Sequence, residues 1–375
     1  MLNFKINSNF LYLMLLFGFL LLGGCKDRKS IIADKVVTFR KETAIDFSNS
    51  NFFKNKTVVQ LETNENSLIP GFSSVKKDDN NFFVYNNDSS FPILRFDING
   101  TFINKIGSRG NGPNEFTRLL DTYINKTKCT VELLTDQKVI RFSYDGVPIN
   151  STGLSIPAGS FTVSDDFYWF YTGNNRIGHD HRLYLTDQNF QIINKFLKDK
   201  TNLLPYIEDN FYQSPHTTFR ETFYRNIYKI KGDSLLLSYT LEFPGMEYPS
   251  EIHKMNPNTV LYYIRSLRIA DLRCFLENNN YIYMFVYELS DENEYGIFYH
   301  WIIDKNNNYQ EKIIKIIPSD ILINSYLCQP QLLTDENLLY LMGYIIENEN
   351  DDADEFINTD LNPAIVIVNI ADIFD

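Results

Sequence analysis

The chain has 375 residues, of which 44% are hydrophobic and 22% are charged, as in an ordinary globular protein. Its formal net charge is −12, and it has no basic stripe with interleaved aromatic residues, so we set nucleic-acid binding aside. The length fits two average domains or one closed all-β domain.

The first 24 residues have the pattern of a secretory signal. Lys5 supplies a positive charge, and the apolar run at 10–22 is too short to span a bilayer comfortably. The sequence LGGC at 22–25 then resembles a bacterial lipobox, in which a cysteine thiol receives the lipid. We therefore predict a lipoprotein signal peptide at 1–24 and lipid attachment at Cys25. The alternative is an ordinary secretory signal that contains a cysteine.

Lipidation would keep the mature protein on a membrane without a transmembrane helix, because each buried CH₂ contributes about 0.8 kcal/mol. Lys26, rather than an aspartate, follows the cysteine and resembles the outer-membrane signal of many Gram-negative lipoproteins. Lys26-Asp27 also resembles the surface-export signal of Bacteroidota lipoproteins, although Arg28 interrupts the acidic run. We thus predict an outer membrane lipoprotein that faces either the periplasm or the cell surface. Residues 25–56 are predicted to be a lipid-anchored tether.

Three further cysteines follow Cys25, and an odd number cannot all pair within the chain. Cys129 and Cys274 lie in apolar, strand-like runs and are predicted to be small core residues. Cys328 is the third, and no CxxC or Cys/His spacing indicates a structural metal.

A repeat with a period near 46 residues organises the folded part. ILRFDINGTFIN begins at Ile93 and VIRFSYDGVPIN begins at Val139, a shift of 139 − 93 = 46. The Asn-Gly at 99–100 and the Asp-Gly at 145–146 both predict type I′ hairpins. A fainter third copy at 183–196 lacks the glycine, so a different turn is expected there. Paired strands with this period are typical of a propeller blade of four antiparallel strands.

The repeat carries a family resemblance. KIGSRGNGPNEF at 105–116 and TDQKVIRFSYDG at 135–146 resemble an NHL-type repeat, and the match covers residues 80–150 well. More closely, the whole chain resembles the six-bladed β-propeller lipoproteins of Bacteroidota. Later blades depart from the consensus and are inferred from alternation and spacing.

We predict an all-β fold, a six-bladed β-propeller over residues 57–375. The strand Thr57–Leu61 is expected to pair with Ala364–Ile370 and close the ring, which removes an open sheet edge. The blades are predicted at 66–116, 117–157, 158–200, 212–268, 269–318 and 319–375.

The loop at 107–112 contains three glycines and raises the question of a phosphate site. Phosphate loops have a helix after them and usually a lysine, whereas Pro113 and Phe116 follow here without any helical pattern. The loop is therefore predicted to turn a corner between blades, with Phe116 packed between them.

A metal site at His179 and His181 is one alternative, because residues i and i+2 of a strand face the same side. The third ligand would be His216, His253 or His300. By resemblance, some NHL-type propeller lyases hold a metal in the central channel with histidines. The competing interpretation is a polar loop within blade three.

Other polar segments have simpler interpretations. The acidic run at 347–355 lacks the spacing of a calcium loop and is predicted to be a solvated hairpin loop. Asp165-Asp166 is predicted to be a turn, and Glu288 with Asp291 forms another carboxylate pair. Two aromatic loops, at 211–223 and 243–249, fit either partner contact or blade packing.

We predict a binding or scaffold module of the cell envelope for a glycan, a peptide or a protein partner, rather than an enzyme. No catalytic residue and no cofactor is predicted, and the ligand-binding residues are not assigned. A partner in nutrient uptake is suggested by the family resemblance alone. The alternative is a metal-dependent hydrolase or lyase with its site in the central channel.

Overall fold

The computed structural model describes residues 36–374 except for 53, 72, 88, 174–179, 199–209, 214–216, 257–258, 261–262, 265–266, 291–292, 317–329, 343–344, 347–355 and 358–360. The predicted signal peptide and Cys25 therefore lie outside the described residues. Within the described part of the chain, no helix is long and apolar enough to cross a membrane.

Three short strands precede the first blade. They are β1 (Val36–Thr38), β2 (Ile45–Asp46) and β3 (Thr57–Gln60). Short 3-10 helices cover Lys41–Thr43 and Phe47–Asn49 between them. Each of the three strands pairs with the edge of a different blade.

The next twelve strands form three antiparallel blades in chain order. Blade 1 comprises β4 (Ser74–Lys77), β5 (Asn81–Tyr85), β6 (Ile93–Asp97) and β7 (Phe102–Ile106). Blade 2 comprises β8 (Leu119–Asn125), β9 (Thr130–Thr135), β10 (Lys138–Ser143) and β11 (Pro148–Gly153). Blade 3 comprises β12 (Ser160–Ser164), β13 (Phe167–Tyr171), β14 (His181–Thr186) and β15 (Ile192–Lys198).

The remaining blades have the same strand order. Blade 4 comprises β16 (Phe211–Gln213), β17 (Thr217–Arg220), β18 (Asn226–Lys231) and β19 (Ser234–Glu242). Blade 5 comprises β20 (Ile269–Glu277), β21 (Tyr281–Ser290), β22 (Asn293–Asp304) and β23 (Gln310–Ile316). Blade 6 comprises β24 (Leu332–Leu333), β25 (Asn337–Met342), β28 (Ala364–Asn369) and the amino-terminal β3. A ribbon of β26 (Ile345–Ile346) and β27 (Phe356–Ile357), a 3-10 helix at Ser250–Lys254 and a final helix α1 (Ala371–Phe374) complete the described elements.

The predicted six-bladed propeller is confirmed. The strands of each blade lie inside the predicted range, except that β16 begins one residue before it and the closing strand β3 comes from the amino terminus. The predicted ring closure is also confirmed, because β3 pairs antiparallel with β28 from Ala364↔Gln60 to Ile367↔Thr57. The two ends of the chain thus share one sheet, and the outer strand of blade 6 comes from the amino terminus.

The hydrophobic core lies between neighbouring blades. The second strands β5 and β9 are buried at every position, because a blade with a neighbour on each side needs apolar residues on both faces. One buried cluster joins blades 1 and 2, a second joins blades 2 and 3, and others continue around the ring. Trp169 and Trp301, both fully buried, belong to two of these clusters.

The amino-terminal segment 36–52 lies along the rim of blades 4 and 5. Strand β1 pairs in parallel with β19, and β2 pairs in parallel with β23, so each adds a fifth strand to a blade. Phe39 is buried between these blades, with ring-centroid distances of 5.2 Å to Tyr299 and 5.3 Å to Trp301. This part of the predicted tether is therefore packed on the propeller, because its aromatic side chains are buried there.

The hairpin turns of blades 1 and 2 differ from the prediction of type I′. In blade 1 the Gly100 amide donates to Asp97, and the Asp97 amide donates to Thr101 across the turn. A type I′ turn needs positive φ at both central residues, but only the glycine of each turn has it, with φ of 89° at Gly100 and 81° at Gly146. The prediction of type I′ is therefore wrong, and each turn instead ends in one left-handed glycine.

The third copy of the repeat makes the same turn without a glycine. The Phe190 amide donates to Asp187, the Asp187 amide donates to Gln191, and Phe190 has a φ of 62°. The expectation of a different turn is wrong, because the buried Phe190 ring packs 5.1 Å from that of Tyr168 and holds the strained backbone.

The glycine loop at 107–112 turns a corner, as predicted, and leads into strand β8 rather than a helix. The Phe116 amide donates to Ser108, and the Gly112 amide donates to a carboxylate oxygen of Glu115 at 2.9 Å. Phe116 is buried in the cluster between blades 1 and 2, as predicted.

The cysteine predictions have different outcomes. Cys274 is buried, as predicted. The prediction for Cys129 is wrong, because this residue is exposed with a φ of 49° in the turn between β8 and β9. Cys328 lies outside the described residues.

We expect Gly146→Ala to lower the free energy of unfolding by about 2 kcal/mol. The added methyl would lie 2.7 Å from the carbonyl oxygen of Lys105, on the outer strand of blade 1, at a positive φ. Gly153→Ala is the matched control, since its methyl would meet open space, and a change within about 0.5 kcal/mol is expected. Urea unfolding measures both, and equal effects would contradict the close approach of blade 1 to Gly146.

His300 is fully buried in blade 5 and lies between aromatic groups. Its ring stacks on Phe52 with the centroids 4.2 Å apart, and its Nδ1 lies 2.5 Å from the Tyr283 hydroxyl. Burial lowers the pKa of His300 to about 3. The unfolded chain therefore takes up a proton below about pH 6.5 that the folded protein does not, so stability falls as the pH decreases from there toward 3.

We expect the unfolding free energy to fall more steeply in wild type than in His300→Gln between about pH 6 and pH 4. The difference in slope should approach 1.4 kcal/mol per pH unit, about the value for one proton. Urea unfolding at several pH values measures it. Equal slopes of unfolding free energy against pH for wild type and His300→Gln would contradict a neutral His300 in the folded protein.

Candidate functional site

A cavity of about 840 Å³ opens at one end of the central channel, and we call it the channel mouth. It lies on the face that carries the turns between the first and second strands of the blades. Its lining residues come from blades 1, 2, 3, 4 and 6 and are 76–79, 123–127, 163–165, 213, 217, 229–231 and 332–335.

The fold places polar residues at this mouth for a simple reason. The first strand of each blade lines the channel and then turns back, and these turns are rich in Lys, Asn, Asp and Thr, as in KKDD at 76–79 and NKT at 125–127. In blade 4 the strands β16 and β17 have only three and four residues. The third strand of that blade, β18, therefore also reaches the mouth through Lys229 and Lys231.

The mouth contains charges of both signs. Five lysines line it, together with four aspartates. The lysines are Lys76, Lys77, Lys126, Lys229 and Lys231, and the aspartates are Asp78, Asp79, Asp165 and Asp335. A polar wall of this kind can hold a ligand by hydrogen bonds and ion pairs.

Some of these charges have a role in the fold. Lys76 donates to the carbonyl of Thr122 and lies 3.5 Å from a carboxylate oxygen of Asp121, which joins blades 1 and 2. Asp78 accepts hydrogen bonds from the backbone amides of Asn80, at 2.9 Å, and Asn81, at 2.7 Å. These bonds lower the pKa of Asp78 although its burial opposes them. The Asp78 carboxylate thus makes its hydrogen bonds within its own turn.

Other lysines are available to a ligand. Lys77 donates to the Asp78 carbonyl at 2.8 Å, and the ammonium groups of Lys126, Lys229 and Lys231 make no hydrogen bond or ion pair with any residue that the structure describes. Burial lowers the pKa of Lys77, and the charge of Lys126 adds to this effect. Burial also lowers the pKa of Lys229, against the attraction of Glu277.

The predicted histidine site is only partly within the described residues. His179 and His216 lie outside them, and the side chain of His253 is not described either. His181 begins the third strand of blade 3, away from the channel-lining strand, and its Nδ1 lies 2.7 Å from Asp180. Among the described residues, no three His, Cys, Asp or Glu side chains are grouped closely enough to hold a metal ion.

The predicted carboxylate residues lie in different blades, Asp165-Asp166 in blade 3 and Glu288 in blade 5. Asp165 and Asp166 form the turn between β12 and β13, as predicted, and Asp165 reaches the channel mouth. Glu288 is buried on β21, where Lys41 lies 2.5 Å and Arg268 lies 2.8 Å from its carboxylate. Glu288 thus fixes the amino-terminal segment to blade 5. Asp291 and the acidic run at 347–355 lie outside the described residues.

The two aromatic loops pack mainly between blades. Phe211 and Phe219 belong to the core between blades 3 and 4, and Phe243 and Met246 belong to the core around blade 5. Within the described part of the first loop, only Gln213 and Thr217 line the channel mouth.

Sequence reasoning missed the lysines of the mouth. Lys77 and Lys229 are 152 residues apart in the chain (229 − 77), so no local basic stripe marks them. The available signal was positional. Lys76 and Lys77 end the first strand of blade 1, and Lys126 follows the first strand of blade 2, and the ring brings these strand ends together.

The chain matches one protein family over nearly all of its described length. The profile of the family described as a domain of unknown function, DUF4934, matches residues 33–369. No curated protein matches the chain.

Solved structures resemble the fold. A protein of Bacteroides fragilis described as exported is 15% identical, with a TM-score of 0.69, and the alignment covers 89% of this chain and 99% of that one. The WD40 domain of Pan2 from Neurospora crassa is 9% identical with a TM-score of 0.43, over 87% of this chain and 97% of that one. At such identities the first likeness supports the propeller fold alone, and the second is too distant to add to it.

Proposed function

The chain belongs to the DUF4934 family, and we propose that it is a lipid-anchored β-propeller that binds a ligand of the cell envelope at its channel mouth. The fold alone does not decide function, so the proposal depends on the site. The observation that carries it is the polar cavity of about 840 Å³ at the end of the channel, with lysines that have no partner in the described part of the chain.

The size and lining of the mouth support binding. Ligand sites usually have volumes of about 300–1,000 Å³ and combine apolar walls with a few convergent polar groups. The mouth has such walls in Tyr123, Ile124 and Val163, beside the lysines and aspartates. Five blades contribute to it, so a bound ligand would contact a rigid frame.

The amino terminus supports the location. A positive residue, a short apolar run and the sequence LGGC at 22–25 fit a lipoprotein signal peptide with lipid attachment at Cys25. The Bacteroides fragilis protein that shares the fold is described as exported, which agrees with a place outside the cytoplasm. An outer membrane lipoprotein is the form that Lys26 favours.

The alternative of a metal-dependent hydrolase or lyase in the channel gains little from the geometry. No histidine lies among the described residues of the channel mouth, and His181 is on a third strand. A binding or scaffold role is therefore the function that the site supports best.

We expect Cys25→Ser to abolish incorporation of labelled fatty acid and to move the protein from the membrane fraction to the soluble fraction of its host. The reason is that acyl chains on this thiol would supply the anchoring energy. Cys129→Ser, which changes an exposed cysteine in a turn, is the control and should keep both properties. Unchanged labelling and fractionation of Cys25→Ser would contradict the anchor.

We expect Thr127→Trp to abolish capture of envelope ligands by the immobilised domain, because the indole would fill part of the mouth. Ser151→Trp places the same group on the exposed outer strand of blade 2 and should leave capture unchanged. Mass spectrometry of material retained from an envelope extract measures both. If Thr127→Trp captures the same material as wild type, the mouth is not the binding site.

A further inference from the structure

Building on the proposed function, we propose that the channel mouth binds an acidic oligosaccharide, whose carboxylate groups contact the ammonium groups of Lys77, Lys126 and Lys229. This ligand class follows from the charge, the burial and the polar lining of the mouth. It rests on the proposed binding function and specifies what the site would hold.

The three lysines converge although the chain as a whole is acidic. Lys77 comes from blade 1, Lys126 from blade 2 and Lys229 from blade 4, and all three line the same cavity. The full chain carries 35 lysines and arginines against 47 aspartates and glutamates, so acidic side chains predominate in the chain as a whole. A local group of positive charges in an acidic protein attracts anions to that place.

The four aspartates of the mouth offset its five lysines only in part, although Asp78 and Asp79 attract the ammonium group of Lys77. Asp78 accepts hydrogen bonds within its own turn. The ammonium groups of Lys126 and Lys229 have no ion pair with a carboxylate in the part of the chain that the structure describes. An incoming anion would thus meet amines that still have hydrogen bonds to donate.

Burial makes the lysines responsive to an anion. Lys77 and Lys229 are both half-buried, and burial lowers the pKa of each. Asp78 and Asp79 attract Lys77, and Glu277 attracts Lys229, but burial outweighs these attractions. A half-buried ammonium group is therefore still costly, and a bound carboxylate would offset part of that cost. A bound anion would therefore stabilise the charged form of these two lysines.

The rest of the lining favours a sugar over a peptide. Amide and hydroxyl groups of Asn125, Thr127, Gln213 and Thr217 surround the lysines and can exchange hydrogen bonds with sugar hydroxyls. Tyr123 adds one aromatic side chain at the wall. An acidic peptide would also satisfy the lysines, and a direct comparison of the two ligand classes separates them.

Isothermal titration calorimetry of the soluble domain beginning at Lys26 tests the proposal with three probes. They are trigalacturonate, maltotriose and hexaglutamate. We expect trigalacturonate to bind, binding to weaken at high salt, and the other two probes to bind at least about tenfold more weakly.

The variant Lys77→Gln/Lys229→Gln should weaken trigalacturonate binding by about tenfold or more, because two charge-assisted hydrogen bonds are lost. Lys105→Gln/Lys198→Gln removes the same charge from exposed outer strands and should bind like wild type. If the first variant does not fold, protection of Lys77 and Lys229 from acetylation by bound trigalacturonate in wild type serves instead. Absence of that protection would overturn the proposal.

Each other outcome has a definite meaning. Equal binding of maltotriose would overturn the acidic ligand class and leave the proposed binding function intact. Preference for hexaglutamate would replace the sugar by an acidic peptide. Failure of all three probes would overturn this inference, whereas the binding function itself fails only if the mouth variant Thr127→Trp captures the same envelope material as wild type.

Discussion

The pairing of β3 with β28 is the contact on which the rest of the structure depends. A propeller blade needs a neighbour on each side because both of its faces are apolar, so the ring is complete only when the last blade is complete. Blade 6 obtains its outer strand from residues 57–60, and Leu61 is buried in the cluster between blades 6 and 1. The channel mouth exists because this closure brings the turns of separate blades into one ring.

Polar contacts between blades reinforce the closed ring at specific positions. Arg182 of blade 3 lies 2.6 Å from the buried carboxylate of Glu221, which follows β17 of blade 4. Tyr168 of blade 3 donates to Glu132 of blade 2 at 2.6 Å. Breaking one partner of a buried pair leaves an uncompensated charge, so such contacts favour one register of each blade against its neighbour. The same rigidity would hold the lysines of the mouth at fixed separations.

The fold was predictable from sequence because a glycine-containing hairpin recurs after 46 residues, and the ends of the chain carry complementary strands. The turn conformations and the exposure of single residues depended on tertiary contacts, which no local sequence pattern reports. Phe190 adopts the left-handed conformation that glycine holds in the other copies because its ring is buried. Cys129 is exposed because it lies in the turn that precedes β9 rather than in the strand. The lysines of the mouth are distant in sequence and converge only through the ring, so composition gave no sign of them.

The most direct test of ring closure compares urea unfolding of two shortened chains, one beginning at residue 54 and one at residue 62. Both lack the segment that lies on blades 4 and 5, and only the first keeps β3 and Leu61. Fluorescence of the buried Trp169 and Trp301 reports unfolding in blades 3 and 5. Closure by β3 predicts that the shorter chain loses about 3 kcal/mol or more of unfolding free energy, or its cooperative transition. Equal unfolding free energies for the two chains would contradict it.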